Sequence, residues 1–131
     1  MTNDATEFWD CARANATELQ TTLVEGVTLV TYGGESFTGE MVETTASGEV
    51  LGVTGYRDGL QDGEQREWYP GGTLRLEGRC RVGLAVGRWR EWHPNGQLAK
   101  EQTFDNQGNY VAVKTWDEDG KLKKDKTFGG E

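Results

Sequence analysis

Apolar and aromatic positions in this chain recur at a constant step of 24 residues, far longer than the period of a single helix or strand. Trp68, Trp92 and Trp116 keep that step, as do Val50, Leu74, Leu98 and Leu122. A third ladder holds Tyr56, Cys80, Phe104 and Phe128, and a fourth holds Gly48, Gly72, Gly96 and Gly120. Such a repeat marks an array of one supersecondary unit whose neighbours must stack to bury their apolar side. Function is then expected on the surface of the stack, not in one enclosed pocket.

Within each period the pattern is that of a β-hairpin. Pro70-Gly71-Gly72 and Pro94-Asn95-Gly96 separate β-rich runs, and Ser47-Gly48 and Asp119-Gly120 stand at the same phase. Proline presets φ for the first corner of a type I turn, and glycine accepts the left-handed conformation that closes the loop with a bulge. A three-residue loop places Trp68 opposite Leu74, Trp92 opposite Leu98, Trp116 opposite Leu122 and Thr44 opposite Val50. Gly59 and Gly83 mark equally regular return connections, and the same spacing from Tyr32 to Gly39 predicts a degenerate hairpin over residues 15–38.

The predicted fold is therefore all-β: an elongated antiparallel meander of stacked hairpins over residues 39–128, in a single domain spanning 1–131. Asp4 followed by Glu7 is a helix-start signal, and Phe8, Trp9, Cys11 and Ala12 give an apolar side. They predict a short N-terminal α-helix over residues 1–14 that caps the sheet. Strict alternation puts Tyr56, Cys80, Phe104 and Phe128 on the face of the Trp–Leu pairs, as the core stripe. The other face is expected to carry Glu43, Glu67 and Glu91 in one row and Glu77, Glu101 and Asp125 in another, with Tyr69, Trp89, His93 and Arg75 among them. Glu67 is expected opposite Arg75.

Composition changes this picture little. Low apolar content (34%) and 19 glycines suggest disorder in isolation, but aromatics at a fixed phase must be burying something. Cys11 and Cys80 are the two cysteines; Cys80 stands on an aromatic ladder and reads as a buried free thiol, with a disulfide as the alternative. The N-terminus lacks the basic start and apolar run of a signal peptide, and no stretch suits a membrane span, so the cytoplasm is the expected location.

Charge adds an asymmetry. Residues 1–62 hold eleven acidic side chains against Arg13 and Arg57, a net of −9 out of a total of −8. Nucleic acid and anionic membrane are disfavoured as ligands of that half, and a basic partner is favoured.

Catalytic chemistry is absent from the pattern. His93 is the only histidine and stands in a slot that Tyr69 fills one unit earlier. No Cys/His cluster suggests zinc. Gly33-Gly34 and Gly71-Gly72 open no helix as a phosphate loop does. The glutamate rows recur at the repeat period, as a unique active site would not. Neither an enzyme nor a cofactor nor a metal is expected.

The stretch Gly87-Arg88-Trp89-Arg90-Glu91-Trp92-His93-Pro94-Asn95-Gly96-Gln97-Leu98 resembles the bacterial variant of the MORN repeat. Asp62 to Leu74 and Lys114 to Leu122 are similar to it as well. Thr44 and Ala46 replace the Trp and Pro in the unit over 39–62, and Glu118 replaces the Pro in the last unit. The resemblance implies the antitoxin or immunity half of a toxin system, in which a small cytoplasmic protein blocks a cognate toxin by occluding its active site. A toxin acting on nucleic acid would present a basic site. The alternative is a non-enzymatic interaction scaffold. For either, the expected partner-binding residues are Glu43, Glu67, Tyr69, Trp89, Glu91 and His93, aromatics and acids on a broad sheet surface. An open sheet edge also allows edge-to-edge pairing of two copies.

Overall fold

The computed structural model describes residues 13–128. Within them the strands are β1 (Arg13–Asn15), β2 (Gln20–Val24), β3 (Val27–Tyr32), β4 (Glu35–Ser36), β5 (Gly39–Thr44), β6 (Val50–Arg57), β7 (Leu60–Trp68), β8 (Leu74–Arg81), β9 (Leu84–Trp92), β10 (Leu98–Phe104), β11 (Tyr110–Trp116) and β12 (Leu122–Thr127). Nine of them form one sheet in the order β1-β5-β6-β7-β8-β9-β10-β11-β12, and β2-β3-β4 form a second. From β5 to β12 every neighbour is antiparallel and consecutive in sequence, the expected meander.

The turns set this register. At each hairpin tip a glycine N–H closes the loop on the carbonyl three residues earlier: Gly48 on Thr45, Gly72 on Tyr69, Gly96 on His93 and Gly120 on Asp117, at 2.9–3.0 Å. All four glycines have φ between +87° and +104°, a region that costs a residue with a Cβ. The return turns Asp58-Gly59 and Val82-Gly83 have positive φ at both residues, as two-residue hairpin turns require. The predicted pairs Thr44–Val50, Trp68–Leu74, Trp92–Leu98 and Trp116–Leu122 are all directly opposite each other.

One residue beyond each pair the register slips. Trp68 faces Leu74 but Glu67 faces Leu76, and the same step occurs after Val50, Leu98 and Leu122. Leu51, Arg75, Ala99 and Lys123 are thus extra residues in a β-bulge repeated once per unit. An inserted residue inverts the alternation of everything after it. This corrects the expected faces. Tyr56, Cys80, Phe104 and Phe128 lie on the face of Glu67, not that of Trp68. Glu77, Glu101 and Asp125 lie with the tryptophans.

The N-terminal part also departs from expectation. The anticipated helix over residues 1–14 lies outside the described residues except at its end, and there Arg13 and Ala14 are strand, pairing in parallel with β5. Among the described residues there is no α-helix, only a 3-10 turn, Ala16–Glu18, capped by Asn15. The hairpin expected over 15–38 does form, as β2 and β3, but it does not continue the meander. Gly33 and Gly34, at φ +63° and +90°, fold the chain back so that β4 pairs with β3 instead of leading on to the large sheet.

The small sheet docks through Phe37, whose ring lies 6.1 Å from that of Tyr56. Ala14, Phe37 and Tyr56 are buried together, with Leu19, Val30 and Met41 packed around them. The return turn at Gly59 bonds to the chain just beyond the β3–β4 pairing: Gly59 N donates to Phe37 O and Val30 N donates to Gly59 O. A Cβ at Gly59 would stand 2.9 Å from Leu29 Cβ. Beyond this core, no second layer packs on the large sheet among the described residues.

Candidate functional site

The expected glutamate row is present. Glu43, Gly52, Glu67, Leu76, Glu91 and Lys100 stand opposite one another in register from β5 to β10. Trp89, two residues from Glu91 on β9, shares that face. Four of the six anticipated binding residues are thus brought onto one surface. Tyr69 and His93 lie at its edge, in the hairpin tips.

Their engagements differ. Glu67 stands opposite Leu76 and not Arg75 as expected, but the bulged Arg75 still reaches it as an ion pair, and Glu67 accepts from Gln65 Nε2 at 3.2 Å. Glu91 pairs with Lys100 at 3.5 Å. Trp89 lays its indole over Gly78 and donates from Nε1 to Arg79 O at 3.1 Å. Tyr69 donates from its hydroxyl to Trp92 O at 2.7 Å, and His93 Nε2 lies 3.0 Å from Trp116 O. Both therefore staple one hairpin tip to the next, a role the common phase of positions 69 and 93 would have disclosed. Glu43 alone of the six has neither an ion pair nor a hydrogen bond among the described residues, and it is exposed. Its Oε1 lies over the vacant side of Gly52, 2.8 Å from where a Cβ would stand.

Glu43 borders a shallow groove of about 630 Å³ at the hairpin-tip edge, with Thr44, Leu51, Glu67, Tyr69, Pro70 and Arg75. The Arg75 guanidinium lies 6.0 Å from the centre of the Tyr69 ring. The groove thus offers one unpaired carboxylate, one paired carboxylate and an aromatic wall, a setting suited to a cationic side chain.

The opposite face is chemically self-contained. Arg66, Glu77, Arg90, Glu101, Lys114 and Asp125 stand directly opposite one another across β7 to β12, alternating in sign. Arg90 and Glu101 are 2.9 Å apart, and Arg66 and Glu77 are 3.7 Å apart. Opposite charges across strands stabilise a sheet, each exposed pair by less than about 1 kcal/mol. A groove of about 480 Å³ on this face is lined by Glu40, Val53, Glu64, Arg66, Trp68 and Arg79, among others. There Glu64 holds both Arg66 (2.8 Å) and Arg79 (3.4 Å), so its cations are already engaged.

Cys80 is buried and free, and its Sγ lies 3.2 Å from Gln61 Oε1. Burial, and then the charge of Asp62, push its thiol above the ordinary value, so the reactive thiolate is suppressed. Among the described residues no group of three His, Cys, Asp or Glu side chains has the geometry to hold a metal, and no helix is long and apolar enough to cross a membrane.

An eight-stranded meander of hairpins that share one register, β5 to β12, defines a β-repeat protein. Residues 61–79, 85–106 and 111–128, which lie in the β7-to-β12 hairpins, match the MORN repeat variant family. Residues 39–60 of the first unit, which include Glu43, lie outside that match. No curated protein matches the chain. Among solved structures it is similar to accessory secretory protein 1,2 and 3 in Streptococcus pneumoniae, at 11% identity over 81% of this chain and 18% of that one, with a TM-score of 0.35. It is also similar to a GtfA/B complex bound to UDP and GlcNAc, at 13% identity over 83% of this chain and 24% of that one, with a TM-score of 0.35. This chain spans less than a quarter of either. Neither likeness bears on its activity.

Proposed function

We propose that this protein is a non-enzymatic interaction scaffold that binds a protein partner through the glutamate face, with the groove at Glu43 receiving a lysine or arginine of that partner. The supporting observation is the isolation of Glu43: its counterparts Glu67 and Glu91 are each neutralised by a neighbour, whereas Glu43 is exposed beside Tyr69 with its charge unmatched. The net charge of −9 over residues 1–62 reinforces the preference for a basic partner. No reaction is assigned to the chain.

A photo-reactive phenylalanine analogue placed at Thr44, in the groove, and at Lys124, at the far end of the sheet, tests this in the native host. The expected result is a protein cross-linked from position 44 and not from 124, and lost when Glu43→Lys is added. Equal yields from both positions, or a product indifferent to Glu43→Lys, would refute the groove as the contact. Neutralisation of a toxin is the narrower form of the same reading, with the toxin as the basic partner. Co-expression with the product of the adjacent gene decides it: rescued growth supports the narrower form, and equal toxicity with and without this chain removes it.

A further inference from the structure

The two sheets expose several edge strands, and all but one carry a device against unwanted pairing. An edge strand presents unpaired N–H and C=O groups that template the addition of another strand, and proteins guard such edges with lysine, inward charge or brevity. β12 is exposed throughout and carries Lys123, Lys124 and Lys126. β1 has three residues and β4 has two, with Glu35 on the latter. β2 has none of these devices. Its sequence is Gln20-Thr21-Thr22-Leu23-Val24, uncharged, without proline and exposed at all five positions. Among the described residues it pairs only with β3.

Its side chains also call for cover. Leu23 is 70% exposed, and Val24 and Val27, directly opposite each other, are 45% and 47% exposed. Leu23 and Val24 point to opposite faces, so a strand laid along β2 would gain apolar contact on both sides. Glu18 and Glu25 bracket the strand, Glu35 lies on the far edge of the same sheet, and no basic side chain lies between Arg13 and Arg57. A second copy would bring two acidic halves together. A basic segment is drawn in instead.

We propose that β2 is a docking edge for an extended segment of a partner protein, with apolar residues at alternate positions and lysine or arginine at its ends, which joins the small sheet as a fourth strand. This is β-strand addition: main-chain hydrogen bonds hold the segment, and alternate side chains give it specificity. The surface is separate from the Glu43 groove, so either assignment can fail alone.

The probe is the synthetic peptide acetyl-Lys-Lys-Val-Thr-Val-Thr-Val-Lys-Lys-amide, added to the full chain, with titration calorimetry for affinity and amide hydrogen exchange for location. The expected result is slowed exchange at Thr21 to Val24 and binding at least about tenfold tighter than that of the same peptide with glutamate for lysine. Leu23→Lys, which installs the guard that β12 carries, should abolish both while β3 amides keep their protection, showing the hairpin intact. Glu43→Lys should leave β2 protection in place. Absence of binding, protection at β12 instead of β2, or equal affinity for the acidic peptide overturns the proposal. So does a dimer in sedimentation that protects β2 without peptide, which makes a second copy the occupant. Peptide binding that appears only after removal of residues 1–12 also overturns it, since the chain itself then fills the edge.

Discussion

The first unit of the meander, residues 39–62, and the second, residues 63–86, share one backbone and differ in nearly every side chain that matters. Thr44 faces Val50 as Trp68 faces Leu74, Glu43 faces Gly52 as Glu67 faces Leu76, and Tyr56 faces Gln61 as Cys80 faces Ala85. Yet the first unit has no tryptophan, and Val42 and Val53 stand where the second has Arg66 and Glu77. The backbone therefore takes its register from the turns, glycine at the tip and a two-residue return, and not from the strand side chains. Those side chains are free to vary. In the second unit they interlock along the sheet as an alternating row of charge. In the first they do not, and Glu43 is left unmatched.

The largest expected effect lies in the unit that looks the weaker. At Gly55 a Cβ would run into Asp62 O, a main-chain atom of the neighbouring strand that cannot swing aside. The second unit has Arg79 at the corresponding position, exposed and unobstructed. Gly55→Ala should lower stability by about 3 kcal/mol, the upper end for forcing atoms into an occupied space. Gly78→Ala meets only the Trp89 ring and should cost about half of that, with a change in tryptophan emission as the indole moves. Urea midpoints for the pair test it, and equal losses would show that strand spacing at β6–β7 is not fixed by Gly55.

Exchanging the turns tests the same comparison in the opposite direction. Asp58 and Val82 both begin return turns with positive φ, +52° and +48°. A β-branched residue is strained there, whereas Asp tolerates the left-handed region. Val82 is 67% exposed, so it loses little by replacement. Val82→Asp should raise stability by about 1 kcal/mol. A loss would show that Val82 makes a contact that its exposure conceals.

The charge row predicts a further asymmetry. Glu77→Arg places three cations side by side with Arg66 and Arg90 and should cost about 1 kcal/mol at low salt. At 1 M salt, where screening falls to about 3 Å, most of that loss should disappear. Val53→Arg, at the same position one unit earlier, meets only Arg66, and its salt-sensitive part should be the smaller. Equal salt dependence in the two variants would mean that the row is not electrostatically coupled.

Much of this comparison was legible in the sequence. Pro70, Pro94 and the glycine ladder located the tips, and a three-residue loop then fixed the four cross-strand pairs. The bulge was not legible, because Leu51, Arg75, Ala99 and Lys123 share no residue type, so nothing marked the point where the alternation inverts. Its signal was indirect. Arg66, Arg90 and Lys114 alternate with Glu77, Glu101 and Asp125 at the 24-residue step, a pattern that makes sense only if all six share a face. The small sheet was missed for a different reason: Gly33-Gly34 satisfies the return spacing of the meander whether the next strand goes on or folds back. Of the six anticipated contact residues, Tyr69 and His93 share the slot that follows the recurring tryptophan at each hairpin tip, and that slot proved to be where one hairpin is stapled to the next.

That slot yields the smallest effect, at the last hairpin. Thr45, Tyr69, His93 and Asp117 occupy it in turn, and only the middle two reach forward to the next tip. Among the described residues no hairpin follows that of Asp117, which caps its own loop, with Oδ1 accepting from Lys121 N and Asp119 N, both at 2.9 Å. The bond from Lys121, with help from Asp119 and Lys123, holds the Asp117 carboxyl below its ordinary value. A carboxylate whose folded pKa is depressed stabilises the fold above its unfolded value, about 3.9, and that contribution is lost as pH falls through the folded value. Asp117→Asn keeps an oxygen for both bonds but does not titrate. The wild-type chain should therefore be the more stable at neutral pH, and the gap between their urea midpoints should close below about pH 4. Asp105, capped in the same way by Asn109 and Gln107, is present in both chains and cancels. A gap that persists unchanged into acid would assign the cap to hydrogen-bond geometry alone, with no share for the charge.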